Sequence, residues 1–260
     1  MRVRVRFSKT GSSRFLGHLD IMRYFQKAFR RAGLPLAFSE GYHPHPLLSF
    51  AQPLSLSFTS NGEYFDMELT EPVEAGEILT RLNSVMCEDI SVNRVIILPD
   101  YKPNAKKITG MALITGAAYA ISLSEMSEGI YNAFRRFYSE KSYLIEKATK
   151  TGTRGCDLRA GVHGIAFYEG GVVMPVGNDE TFRYSDADML ASIGGANLFD
   201  DKAILVFLDA GSEQNIPADL FLKGVMNYAG FTEIPARTVH RMDLFGDISD
   251  RKVPLWMIES

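Results

Sequence analysis

The chain opens with strict alternation. In RVRVRFSK (2–9), Val3, Val5 and Phe7 share one face and Arg2, Arg4 and Arg6 the other, the pattern of a strand with one buried side. From residue 18 the period changes to that of a helix. HLDIMRYFQKAFRRAG (18–33) sets Leu19, Met22, Phe25 or Gln26, Phe29 and Ala32 along an apolar stripe, with Gly33 and Pro35 ending it. The opposite side of the same helix carries Arg23, Lys27, Arg30 and Arg31.

Short strands are expected at LPLAF (34–38) and LSLSF (54–58). A turn at Ser60, Asn61 and Gly62 leads into the alternating EYFDMEL (63–69). A helix over about 75–86 and a strand over 90–98 complete the order of a ferredoxin-like split βαβ domain at 1–100. In that arrangement helices cover one sheet face and leave the other open, so Arg2, Arg4 and Arg6 are expected on an open surface.

PDYKPNAKK (99–107) has two prolines and no apolar period, and reads as a linker. The order then repeats: a strand at 118–123, a helix at 125–138 capped by Ser124, and a strand at 142–150. After these come AILVFLDAG (203–211), a helix from about Pro217 to Tyr228, and a strand at 236–245. The expected architecture is therefore α+β: two tandem ferredoxin-like units facing across a groove. The second spans 108–260 and carries an insertion at about 161–200 with a hairpin at Glu169, Gly170 and Gly171.

Charge adds a functional expectation. Residues 1–46 hold nine Lys/Arg against Asp20 and Glu40, a net +7 in a chain of net −3, which leaves −10 to the rest. A basic segment on an acidic chain attracts polyanions. Arg2, Arg4, Arg6, Lys9, Arg14, Arg23, Lys27, Arg30 and Arg31 are the candidate RNA-binding set, with Lys147, Lys150, Arg154 and Arg159 as an extension. Tyr24, Tyr42 and Tyr64 are available for stacking, yet no RNA-recognition aromatic motif occupies the first strand, so backbone and shape reading are expected over base reading.

SEGYHPHPLLSFA (39–51) concentrates candidate chemistry. His18, Asp20, Glu40, His43 and His45 together admit three readings: a metal site, an acid/base site for hydrolysis or RNA cleavage, and a stiff polar loop held extended by Pro44 and Pro46. The stiff loop is the leading one. No catalytic residue and no cofactor is assigned. The phosphate-cradling GxxxxGK loop and the GxSxG elbow are both missing from the sequence. Cys87 and Cys156, expected as plain buried thiols, are 69 positions apart. They cannot form the three-cysteine cluster site of a radical S-adenosylmethionine (SAM) enzyme. No apolar run is long enough for a membrane helix, and the expected location is the cytoplasm.

RVRFSKTG (4–11), RFLGHLDIMR (14–23), FRRAGLPLAFSEGYHPHPLLSFAQPL (29–54) and EYFDMEL (63–69) resemble the radical SAM-linked protein family, also called domain of unknown function 2344. KATKTGTRGCDLRAGV (147–162) and FLDAGSEQNIPADLFLKGV (207–225) resemble its second half. The resemblance implies a radical SAM protein as partner, since family members are fused to such an enzyme or encoded beside one. Gly17 and His43 depart from the family's usual Ser and Asn, so a metal site needing both His43 and His45 would be private to this chain. The reading is a non-catalytic RNA-binding accessory to a radical SAM enzyme. The alternatives are a hydrolase using His18, His43, His45 and Glu40, and a protein-docking module with a basic face.

Overall fold

The computed structural model describes residues 1–101, 108–149, 152–177, 202–249 and 251–259. The chain is α+β, and it divides into two compact units, Met1–Ile114 with Asp243–Ser260, and Thr115–Met242. The last eighteen residues, expected in the second domain, thus belong to the first unit. Among the described residues no helix is long and apolar enough to cross a membrane.

The first unit contains β1 (Arg2–Lys9), α1 (His18–Arg31), β2 (Leu48–Phe50), β3 (Thr59–Glu68), α2 (Ala75–Asn83), β4 (Ile90–Leu98) and the short α3 (Gly110–Leu113). Its antiparallel strands lie in the order β4-β1-β3, and β2 pairs with β3. Val3, Val5 and Phe7 enter a core with Phe25, Phe29, Phe50, Phe65, Ile78 and Leu82. The buried side of α1 is Ile21, Phe25, Ala28 and Phe29. This stripe is rotated from the expected one toward Ile21 and Ala28, which leaves Leu19 exposed. Gly33 ends the helix in the left-handed region, φ +64°, with the Leu34 N–H donating to the Phe29 carbonyl.

Three local expectations are corrected. LSLSF (54–58) forms a loop, and LPLAF (34–38) contributes only isolated bridges, Leu36 to Leu69 and Phe38 to Pro46. Ser60, Asn61 and Gly62 lie inside β3, where β1 pairing and burial of Thr59 and Ser60 override their turn preference.

The second unit contains β5 (Gly116–Leu123), α4 (Glu128–Ser139), β6 (Leu144–Thr149), β7 (Gly152–Asp157), β8 (Val162–Glu169), β9 (Val172–Pro175), β10 (Lys202–Asp209), α5 (Ala218–Tyr228) and the first half of β11 (Arg237–Ile248). Its strand order is β11-β5-β10-β8-β9, and β6 pairs with β7 as a separate hairpin. The cap of α4 is Ser127, not Ser124. The turn at Gly170 and Gly171 is present, with φ +55° and +88°. However, β8 is a buried strand paired with β10, so the expected insertion begins with part of the core. The remainder of that stretch, 178–201, lies outside the described residues, as do Lys150 and 102–107 of the expected linker. The second half of β11 lies in the first unit, where it pairs with β12 (Arg251–Pro254).

Candidate nucleic-acid interface

The first strand does not present an open basic face. Arg4 is fully buried, and Arg2 and Lys9 are buried as well. Arg4 grips the Asp66 carboxylate with Nε at 2.8 Å and its second amino group at 3.0 Å, and donates to the carbonyls of Leu255 and Ile258 at 3.0 and 2.8 Å. Arg2 donates to the Pro99 carbonyl at 2.7 Å and stacks 3.5 Å above the Tyr101 ring. Lys9 Nζ donates to the Leu16 carbonyl at 2.8 Å. The expectation that Arg2, Arg4 and Arg6 line an open face is therefore corrected, and Lys9 is turned inward with them. A buried charge is retained only where it is paired, and the chain supplies the pairs internally.

Arg6 sits in a second buried cluster. It pairs with Asp243 of β11 at 3.0 Å, and Asp243 also accepts the Tyr64 hydroxyl at 2.5 Å. Burial raises the Asp243 carboxyl above its ordinary value, against the pull of Arg6. Burial also raises the Tyr64 hydroxyl, and Asp243 adds to it. Burial opposes the charge of Arg6, but Asp243 and Tyr64 outweigh it and leave the guanidinium above its ordinary pKa. Tyr64 is thereby removed from the candidate stacking residues.

The histidine segment is dispersed. His18 packs edge-on against Phe50 at 5.8 Å and lines a small cavity with Lys9, Gln52 and Glu63. His45 borders a different cleft, of about 240 Å³, with Arg2, Asp66, Glu68 and Tyr101. Its Nδ1 lies 2.8 Å from Ser39 Oγ, its N–H donates to the same oxygen at 3.1 Å, and the Ser39 N–H donates to its carbonyl at 2.9 Å. Glu40 and His43 are exposed. Asp20 lies 3.7 Å from Arg23 on the exposed side of α1. Among the described residues no three His, Cys, Asp or Glu side chains group to hold a metal ion. The loop is braced by Ser39 and His45, and the histidines do not converge.

What stays on the surface is the back of α1. The Arg23 side chain is 71% exposed, and Lys27, Arg30 and Arg31 are exposed, with Arg31 donating to the Val85 carbonyl at 2.9 Å. Lys27 and Arg30 form no ion pair among the described residues. At the head of this column stand two side chains that hydrophobicity alone had assigned to packing or passed over: Leu19, 63% exposed, and Phe15, 62% exposed with the Arg14 guanidinium 4.8 Å from its ring. Cys87, expected buried, is exposed and accepts a hydrogen bond from the Tyr24 hydroxyl at 3.3 Å.

In the second unit Lys147 donates to the Asn215 carbonyl, and Arg159 donates to the carbonyls of Tyr138 and Val162 at 2.9 Å each. Arg159 thus ties its own loop to α4, and Arg154 in the hairpin is exposed.

A family model described as "Uncharacterized protein conserved in bacteria (DUF2344)" matches residues 2–215. The chain belongs to the DUF2344 family. No curated protein matches it. Among solved structures it is similar to a chain of "Crystal Structure of a Cbf5-Nop10-Gar1 Complex", at 11% identity and a TM-score of 0.42. That likeness covers 92% of this chain and 47% of the other, so the chain spans about half of that neighbour's length. In this DUF2344 protein the matched span includes β1 and α1, whereas Asp243, Leu255 and Ile258, which hold the β1 arginines, lie beyond it.

Proposed function

We propose that this DUF2344 protein is a non-catalytic RNA-binding accessory that works with a radical SAM enzyme in RNA modification or a ribosome-related process. Each unit is read as a ferredoxin-like split βαβ. The strand orders β4-β1-β3-β2 and β11-β5-β10-β8 support that reading, because each puts its unit's first and third main strands side by side at the centre.

One observation carries the RNA reading: Arg23, Lys27 and Arg30 form an exposed cationic column on the most basic segment of a net-acidic chain. With the β1 cations engaged internally, α1 carries the exposed cations of the basic segment 1–46, and side-chain charge on a helix back suits backbone contact. The partner enzyme rests on the resemblance of the N-terminal motifs to radical SAM-linked proteins. The location that fits this role is the cytoplasm.

The test is association with purified radical SAM enzymes from the same organism, with RNA present and after nuclease treatment. The expected result is a complex that nuclease weakens. Association indifferent to nuclease would replace the RNA reading with docking of an acidic protein, and no association in either condition would remove the partner.

A further inference from the structure

Phe15 is held out from the protein by a well-anchored turn. Residues Gly11–Phe15 form a 3-10 helix between β1 and α1. Lys9 Nζ fastens its end through the Leu16 carbonyl, the Asp89 carboxylate accepts the Ser12 and Ser13 N–H groups at 2.9 and 3.1 Å, and the Ser57 N–H donates to the Arg14 carbonyl at 2.9 Å. Leu56, next to that last bond, is 61% exposed. Single exposed apolar residues are ordinary. Here Phe15 comes just before the first turn of α1, Leu19 lies in that turn, and the Ser57–Arg14 bond brings the Leu56 segment to the same end of the helix. Leu19, Arg23, Lys27 and Arg31 follow one another at i+4 steps, so from Leu19 to Arg31 the column runs roughly 18 Å at about 1.5 Å per residue.

This combination differs from a surface for duplex. In a duplex the bases are stacked on one another, and the A-form major groove is too deep and narrow for side chains to reach them. A rigid aromatic ring at the end of a cation row gains nothing from a duplex beyond what the cations give. An unpaired nucleotide can place a base on the ring while its neighbours run phosphates past Arg23 and Lys27. Arg14, already stacked on Phe15, adds a cation to that platform.

We infer that the RNA taken up by α1 is single-stranded, with one unpaired base stacked on Phe15 at the head of the cationic column. This rests on the RNA reading above and narrows its ligand class. It also replaces pure backbone reading with one base contact that tolerates any sequence, since every base has a π-face.

The experiment is fluorescence anisotropy at low salt with a labelled RNA of about 12 nucleotides, alone and annealed to its complement. The expected result is tighter binding of the single strand by roughly tenfold. Phe15→Ala should remove most of that preference while leaving duplex affinity and the salt slope unchanged, and Phe15→Trp should keep it. Both variants should melt with the wild type, because the ring is mostly in solvent. Equal affinity for both forms, or a preference that Phe15→Ala leaves intact, overturns the single-strand inference while leaving the RNA reading standing. No binding of either form by the wild type overturns the RNA reading itself.

Discussion

Arg4 and Asp66 face each other across β1 and β3 in a two-pronged ion pair, 2.8 and 3.0 Å, with the guanidinium wholly out of solvent. The same guanidinium closes on two carbonyls of the C-terminal segment, more than 250 residues away in the chain. A residue that alternation places on a solvated face is therefore an internal clamp.

Arg4→Met should accordingly be a stability variant. Removing one partner of a buried pair leaves the other charge uncompensated, which costs about 3–5 kcal/mol. Arg23→Ala, at an exposed site, should stay within about 0.5 kcal/mol of wild type. Urea unfolding of the two variants side by side checks the contrast, and similar midpoints would mean that Arg4 is not buried in solution.

Gly11→Ala should destabilise more than Gly33→Ala. Both glycines have positive φ, +50° and +64°, so each alanine bears the left-handed cost of about 1–2 kcal/mol. At Gly33 a Cβ meets nothing within 4 Å, whereas at Gly11 it falls 2.0 Å from Asp89 Oδ1 and must displace the carboxylate that holds Ser12 and Ser13. Thermal midpoints of the two variants give the ranking.

The acid dependence has two opposing parts. Hydrogen bonds from Ser12, against a smaller desolvation, hold Asp89 below its ordinary 3.8. Its stabilisation is complete above that value and is lost as pH falls through the lowered one. Asp243 is raised by burial, so its contribution is complete below 3.8 and is lost as pH rises through the raised value. Urea midpoints across pH should show the deficit of Asp89→Asn shrinking below pH 3.8. The advantage of wild type over Asp243→Asn should shrink as pH climbs above 3.8.

His45→Ala should cost about 0.5–1.5 kcal/mol for the lost bond to Ser39 Oγ, read by chemical denaturation. It should leave the salt dependence of RNA binding unchanged, since His45 belongs to the loop before β2 and not to the cation row of α1.

Much of the first unit was legible from its periods. Alternation located β1, and a helical period bounded by Gly33 and Pro35 located α1, because both depend on neighbours in sequence. The fate of the β1 arginines was not legible. An arginine that meets water and one that meets Asp66 or Asp243 write the same alternation, and the covering strand and C-terminal turn return from positions 243–260. Leu19 misled for a related reason: hydrophobicity marks a side chain as suited to burial, but the rotation of α1, set by Ile21, Phe25 and Ala28, decides which ones receive it. His18 was grouped with the His43 and His45 loop on residue type alone, across more than twenty positions of chain, and β2 keeps His18 and His45 in separate cavities, with Leu48 and Ser49 lining one and Phe50 the other.

The most direct measurement is filter binding of single-stranded RNA across a salt series, for wild type and for Arg23→Ala with Arg30→Ala. Each phosphate neutralised contributes about −0.7 to the slope of log affinity against log salt. If α1 is the RNA surface, the double variant should bind with a slope shallower by up to roughly 1.4, two contacts' worth, while its urea midpoint matches wild type. An unchanged slope in a folded double variant would show that the phosphates are met elsewhere and would contradict the assignment of α1.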